Sequence, residues 1–223
     1  MESTMRMFLA CTGTLLGLCC VVAAQPDTNL SSSALVTNLV EIIPYLERFA
    51  RHLDIIDVPE PLTTNHVAKF DPYRGHGRGV GILLDNDCAF GFDVKHHLID
   101  TFRDRKHTLA DLSRDQMRAL RNSPSITKEQ ALIIARTYLA RLGYSETNSP
   151  VLPPRTTQAQ WQLMGEKKSD PLPFFTVEWP WKYAPDREYF VVEVDGIRLR
   201  LNNFHTMQGS PAEESLKSSA VTK

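Results

Sequence analysis

Apolar residues recur at Leu35, Leu39, Ile42, Leu46, Phe49 and Leu53, in alternating steps of four and three that set one continuous stripe along a helix. Glu41, Glu47, Arg48 and Arg51 fall off that stripe, and the serines at 31–33 can cap its start. Pro44 lies inside the pattern and predicts a kink or a break, because it lacks an N–H for the helix ladder. Val58-Pro59-Glu60-Pro61 predicts an extended connection, after which Thr63 or Thr64 caps a short helix through Val67, Ala68 and Phe70. The period then changes to two. Val80, Ile82 and Leu84 alternate with Gly79, Gly81 and Leu83, Asp85-Asn86-Asp87 makes a turn, and Cys88, Phe90, Phe92 and Val94 share a strand face. Ala89 and Gly91 lie on the opposite face and leave room there for close packing. A third strand is expected over 98–102.

The second half repeats the plan. Ser113 and Gln116 open a short helix that Asn122-Ser123-Pro124 ends. Thr127 and Gln130 form a capping box ahead of Ala131, Leu132, Ile134, Ala135, Tyr138, Leu139 and Leu142, with Gly143 as the stop. After a Pro-rich connection over 151–155, Phe175, Val177 and Trp179 alternate with polar residues. Phe190, Val192 and Val194 lead into Asp195-Gly196, a hairpin signal, and Ile197, Leu199 and Leu201 alternate beyond it. Each half thus reads as a helix followed by an antiparallel meander, an α+β architecture in which each helix packs on its own small sheet. Cys88, Phe90 and Phe92 are expected beneath the helix around Leu39 and Leu46. Leu132, Ala135 and Leu139 should meet a set drawn from Phe190, Val192, Ile197 and Leu199.

Ile126-Thr127-Lys128-Glu129-Gln130-Ala131-Leu132, the helix to Leu142-Gly143 and the closing Tyr189-Phe190-Val191-Val192-Glu193-Val194-Asp195-Gly196 resemble a PepSY-like domain. The first half looks like a more divergent copy, and the layout is similar to exported bacterial proteins. The segment from Leu152 to Pro173 is longer than a compact PepSY pattern has room for. The resemblance implies two PepSY-like units, a divergent one over 25-122 and a more regular one over 123-207. PepSY-like domains are associated with protease propeptides and extracytoplasmic regulation, which implies contact with a protein or peptide and carries over no catalytic residue.

The ends change the picture of where the chain works. Residues 7–24 form an apolar stretch behind Arg6, closed by Val22 and Ala24 before Gln25-Pro26. That pattern predicts a signal peptide over 1-24, cleaved after Ala24, and export to the periplasm or the extracellular space. An uncleaved membrane anchor is the competing reading, although Thr12, Gly13, Thr14 and Gly17 dilute a stretch already short for a bilayer. Beyond Met207 the composition turns to Gln, Gly, Ser, Pro, Glu and Lys, which predicts a disordered tail over 208-223. Cys11, Cys19 and Cys20 fall in the signal, so Cys88 remains alone and no internal disulfide can form in the mature chain.

Twenty-five basic and 26 acidic residues leave a formal net charge of -1 over 223 residues, a balance that recruits neither nucleic acid nor an anionic membrane through net charge. Gly75-His76-Gly77-Arg78-Gly79-Val80-Gly81 resembles a phosphate loop in composition alone. A strand follows it where a helix N-terminus is needed, so its glycines read as a bend or a close backbone approach. Cys88 shares a face with Phe90 and Phe92 and reads as a buried, inert thiol; His96 and His97, being adjacent, cannot jointly hold a metal on a strand. Asp85, Asp87 and Asp93 lack the EF-hand spacing. No metal or cofactor is expected. Trp179, Trp181 and Tyr183, in Glu178-Trp179-Pro180-Trp181-Lys182-Tyr183, are the candidate binding residues: they either clasp a peptide or sugar or cover the end of the sheet. The functional expectation is an exported, non-catalytic protein that binds a protein or peptide, with no nucleic acid and no membrane contact beyond the signal. A hydrolase-like enzyme built from scattered acidic and histidine residues, or a structural envelope component, are the alternatives.

Overall fold

All eight strands belong to one antiparallel sheet. They are β1 (Val67–Tyr73), β2 (Gly79–Leu84), β3 (Cys88–Asp93), β4 (Leu98–Asp104), β5 (Arg155–Trp161), β6 (Asp170–Trp181), β7 (Ala184–Asp195) and β8 (Arg200–Thr206). Their order across the sheet is β1-β2-β3-β4-β8-β7-β6-β5. Each half is therefore a four-stranded meander, and the two meanders meet where β4 pairs with β8. The structure, a computed structural model, describes residues 38–55, 58–73, 79–162 and 169–207. The expected signal peptide, the tail over 208-223 and residues 74–78 of the glycine-rich stretch lie outside the described residues.

This overturns the expectation of two units with separate small sheets. Both hairpins lie in one sheet, and the physical reason is at the seam. A meander of four strands ends on an open row of N–H and C=O groups, and joining β4 to β8 satisfies two such edges at once. The seam also merges the cores. Phe90, Phe102, Phe204 and Val192 follow one another on adjacent strands of the inner face and are all buried.

Helix α1 (Leu39–His52) and helix α3 (Lys128–Arg141) cover that inner face. From α1, Phe49 reaches Phe90, Phe102 and Phe204 at 6.1–6.2 Å between ring centroids, and Tyr45 reaches Phe92 at 5.2 Å. One helix thus touches both sides of the seam. Ala131, Ala135 and Leu139 of α3 are buried in the same core. Tyr144, just beyond α3, packs its ring 4.8 Å from Phe190.

Local signals held where side chains act on nearby backbone. Thr127 and Gln130 form the expected capping box, Gly143 ends the region with φ of 80°, and Ser113 with Gln116 caps α2 (Arg114–Leu120). Other expectations are corrected. Helix α1 starts from an Asn38 cap and runs through Pro44 without a break. Pro44 sits near the start, where it removes a single ladder bond. Val67 to Phe70 is strand, not helix: only Thr64–His66 forms a short 3-10 turn before β1 pairs with β2. The Asp195-Gly196 turn is longer than two residues. Strand β8 begins at Arg200, so Ile197 and Leu199 are exposed instead of meeting α3.

Candidate functional site

The outer face of the sheet, opposite the helices, differs between its halves. Across β1 to β4, Lys69, Leu83, Ala89 and Arg103 form one cross-strand row, and Asp71, Gly81, Gly91 and Thr101 form the next. Gly81 and Gly91 stand directly opposite each other, so two neighbouring strands present no side chain there. Glycine weakens a strand interior and commonly marks a close approach by a ligand or another backbone. The result is a groove of about 420 Å³ floored by Gly81, Ala89 and Gly91.

Cations rim it. Lys69 and Arg105 are exposed and, among the described residues, have no ion-pair partner; Arg103 lies 3.8 Å from Asp111 and keeps 41% of its side chain exposed. Three positive groups face one Asp71 carboxylate at this groove. Such a surface favours an anionic group laid against a flat floor.

The outer face of β5 to β8 is closed instead. The connection from β4 to α3 crosses it. Leu109 N–H donates to Glu193 Oε1 at 3.0 Å, Asn122 N–H donates to the Pro171 carbonyl at 3.3 Å, and Arg121 pairs with Asp170 while its guanidinium lies 5.5 Å from the Trp161 ring centre. Burial pushes the Glu193 carboxyl above its ordinary range, opposed by the Leu109 N–H and the charge of Arg103. Burial likewise holds the His205 imidazole below its ordinary value, opposed mainly by Glu188 and Asp100.

Trp179 and Trp181 are fully buried and offer no surface to a ligand, while Tyr183 is 43% exposed with its ring 6.2 Å from Trp181. Trp181 and Tyr183 are thus neighbours, but the two buried indoles do not form an open clasp. Cys88 is buried, beside Phe90 in strand β3. His107 Nδ1 lies 2.7 Å from Asp104 Oδ2, and Arg200 Nη2 donates to the same oxygen at 2.9 Å. This cluster ties the loop after β4 to β8. Among the described residues no three His, Cys, Asp or Glu side chains converge as metal ligands.

The groove residues Lys69, Gly81, Gly91, Arg103 and Arg105 were not singled out as a site by the sequence reading. One signal was available. Pairing back from the Asp85-Asn86-Asp87 turn sets Leu83 opposite Ala89, and therefore Gly81 opposite Gly91. Nothing local shows that β4 brings Arg103 and Arg105 alongside. Comparisons of the chain with protein-family models, curated proteins and solved structures give no match.

Proposed function

We propose that this chain is an exported, non-catalytic binding protein that holds an acidic segment of a protein or peptide on the outer face of β1 to β4. The observation that carries the reading is the trough opposite the helices: paired glycines raise no side chain from its floor, and the exposed cations Lys69 and Arg105 border it. An extended acidic segment lies flat on such a floor and places carboxylates at both rims. The groove lining offers charge and shape, with Lys69, Arg103 and Arg105 outnumbering the Asp71 carboxylate. The PepSY-like resemblance of 126–207 points the same way, toward contact with a protein.

Fluorescence anisotropy with a labelled acidic peptide tests this. Binding should weaken steeply with salt, and the double variant Lys69→Glu, Arg105→Glu should lose at least about tenfold in affinity while unfolding at the same temperature. Equal binding by the parent and the double variant would overturn it. Export is tested separately, by N-terminal sequencing of chain recovered outside the cytoplasm, which should begin at Gln25.

A further inference from the structure

The turn between β7 and β8 combines rigidity with exposed apolar surface. Asp195, 1% exposed, accepts hydrogen bonds at Oδ1 from the Ile197 and Arg198 N–H groups at 2.8 and 3.0 Å, and its Oδ2 accepts one from Arg198 Nη1 at 2.7 Å. Leu199 N–H donates to the Asp195 carbonyl at 2.8 Å, and Gly196 N–H donates to the Pro173 carbonyl at 2.7 Å. Gly196 is also clamped sterically: an added Cβ would lie 2.6 Å from Ser125 Oγ and 2.9 Å from the Pro173 oxygen. Nothing about this turn is loose. Yet it holds out Ile197 and Leu199, 48% and 55% exposed, and Leu199 adopts φ of 57°. That left-handed conformation is free for glycine and costly for leucine. The chain's own hydrogen bonds hold this turn, and they leave about half of Ile197 and of Leu199 open to water on a backbone that is already ordered.

Its neighbourhood says what would cover it. Arg105 and Lys106 are exposed in the loop after β4, and that loop is tied to the foot of the turn by Arg200 Nη2 on Asp104 and by Asn202 Nδ2 on the His107 carbonyl. Arg105 also lines the glycine-floored groove. Cations therefore stand between the groove and the apolar turn, across the single strand spacing of β4 to β8. Asp195 is engaged by the turn and Asp104 by Arg200. Asp111 lies 3.8 Å from Arg103, and Asp85 and Asp87 belong to the turn between β2 and β3, where the Arg105 N–H donates to the Asp87 carbonyl.

We infer that the turn at Gly196 to Leu199 is the second anchor of one docking surface, and that its partner is a protein segment with acidic residues along the groove and apolar residues seated on Ile197 and Leu199. This rests on the groove reading above and adds a requirement to it: acidity alone fills half of the site. The pre-formed turn spares the partner the ordering cost of a flexible loop.

The test uses the full chain and a fluorescent synthetic peptide with an acidic half and a leucine- and phenylalanine-rich half, alongside the acidic half alone. Leu199→Gly should bind the full peptide about tenfold more weakly than the parent, bind the acidic half equally well, and unfold at the same or a higher temperature because the left-handed strain is gone. Ile197→Ser should show the same split between the two peptides. If Leu199→Gly binds the full peptide like the parent while Lys69→Glu, Arg105→Glu fails, the anchor inference falls and the groove reading stands. If the parent binds neither peptide, both fall. A Leu199→Gly chain that unfolds at a lower temperature, or a parent that sediments with phosphatidylglycerol vesicles through Leu199 and ignores the peptide, also overturns the inference, in favour of a packing role or a bilayer.

Discussion

The two meanders share strand count, direction and a preceding helix, yet their outer faces are finished in opposite ways. In β5 to β8, Val191 and Glu193 are buried because the connection to α3 crosses them and donates Leu109 N–H to Glu193. In β1 to β4 the matching face carries Gly81, Ala89 and Gly91 on the floor of the groove, and the connection touches its β4 rim, where Asp111 lies 3.8 Å from Arg103. On the inner face there is no such contrast, since Phe90, Phe102 and Phe204 form one row under Phe49. An antiparallel sheet needs only one covered face to be stable, which frees the other for binding. Here the stabilising face is common property of both meanders, and only one meander keeps its second face open.

The sharpest way to break that comparison is to cut the shared core. Phe102→Ala, in the first meander, removes a fully buried ring at the seam and should cost about 3–5 kcal/mol. All three tryptophans, Trp161, Trp179 and Trp181, lie in the second meander. In urea, their fluorescence should therefore report the full loss and coincide with the circular dichroism transition. A tryptophan transition that stays where it was in the parent would mean that the meanders fold separately.

Glycine substitution separates the closed face from the open one. Gly196→Ala drives a Cβ into Ser125 and the Pro173 carbonyl, and should cost about 1–3 kcal/mol in denaturant titration. Cys88→Ala on the shared inner face should cost about 1 kcal/mol through lost packing, and the native thiol should resist alkylation. Gly81→Ala should have the reverse sign. It places a methyl group at a half-buried position of the groove floor, in unbroken register with β3, and should stabilise by about 0.5–1 kcal/mol while weakening acidic-peptide binding. Loss of stability at Gly81→Ala would show that the floor is packed and not open.

The smallest expected effect is a pH dependence of the covered face. Burial raises the Glu193 pKa in the folded chain, so between the unfolded carboxyl value and the raised one the native state binds the extra proton. Stability from this group is therefore full at low pH and falls as pH rises through that window. Glu193→Gln keeps an acceptor for Leu109 N–H and carries no charge. Its unfolding temperature should exceed that of the parent at neutral pH and converge with it near pH 4. A constant difference across that range would place the cause elsewhere.

Much of this architecture was legible one residue at a time. Thr127 with Gln130 and Ser113 with Gln116 cap their helices through contacts three residues apart, and Cys88, Phe90 and Ile82 show their burial by alternation alone. Misreadings arose where local preference was neutral. Val67, Ala68 and Phe70 suit a helix or a strand, and pairing with β2 decides for the strand. Asp195-Gly196 looks like a two-residue turn, but Asp195 holds two further N–H groups and lengthens it, which turns Ile197 and Leu199 outward. Trp179 and Trp181, beside prolines, suit either a surface clasp or a cover for the sheet, and both are buried.

By itself, then, the amino-acid order determined the helix caps, the β2–β3 hairpin, the buried thiol and the register that sets Gly81 against Gly91, because each follows from interactions over a few residues or across one tight turn. The joining of β4 to β8, the closing of one outer face and the meeting of Lys69, Arg103 and Arg105 around the glycine floor were decided only in three dimensions. Strand edges and sheet faces carry no local signature of what will cover them. Their partners are chosen by which distant groups can satisfy backbone hydrogen bonds and bury apolar surface together.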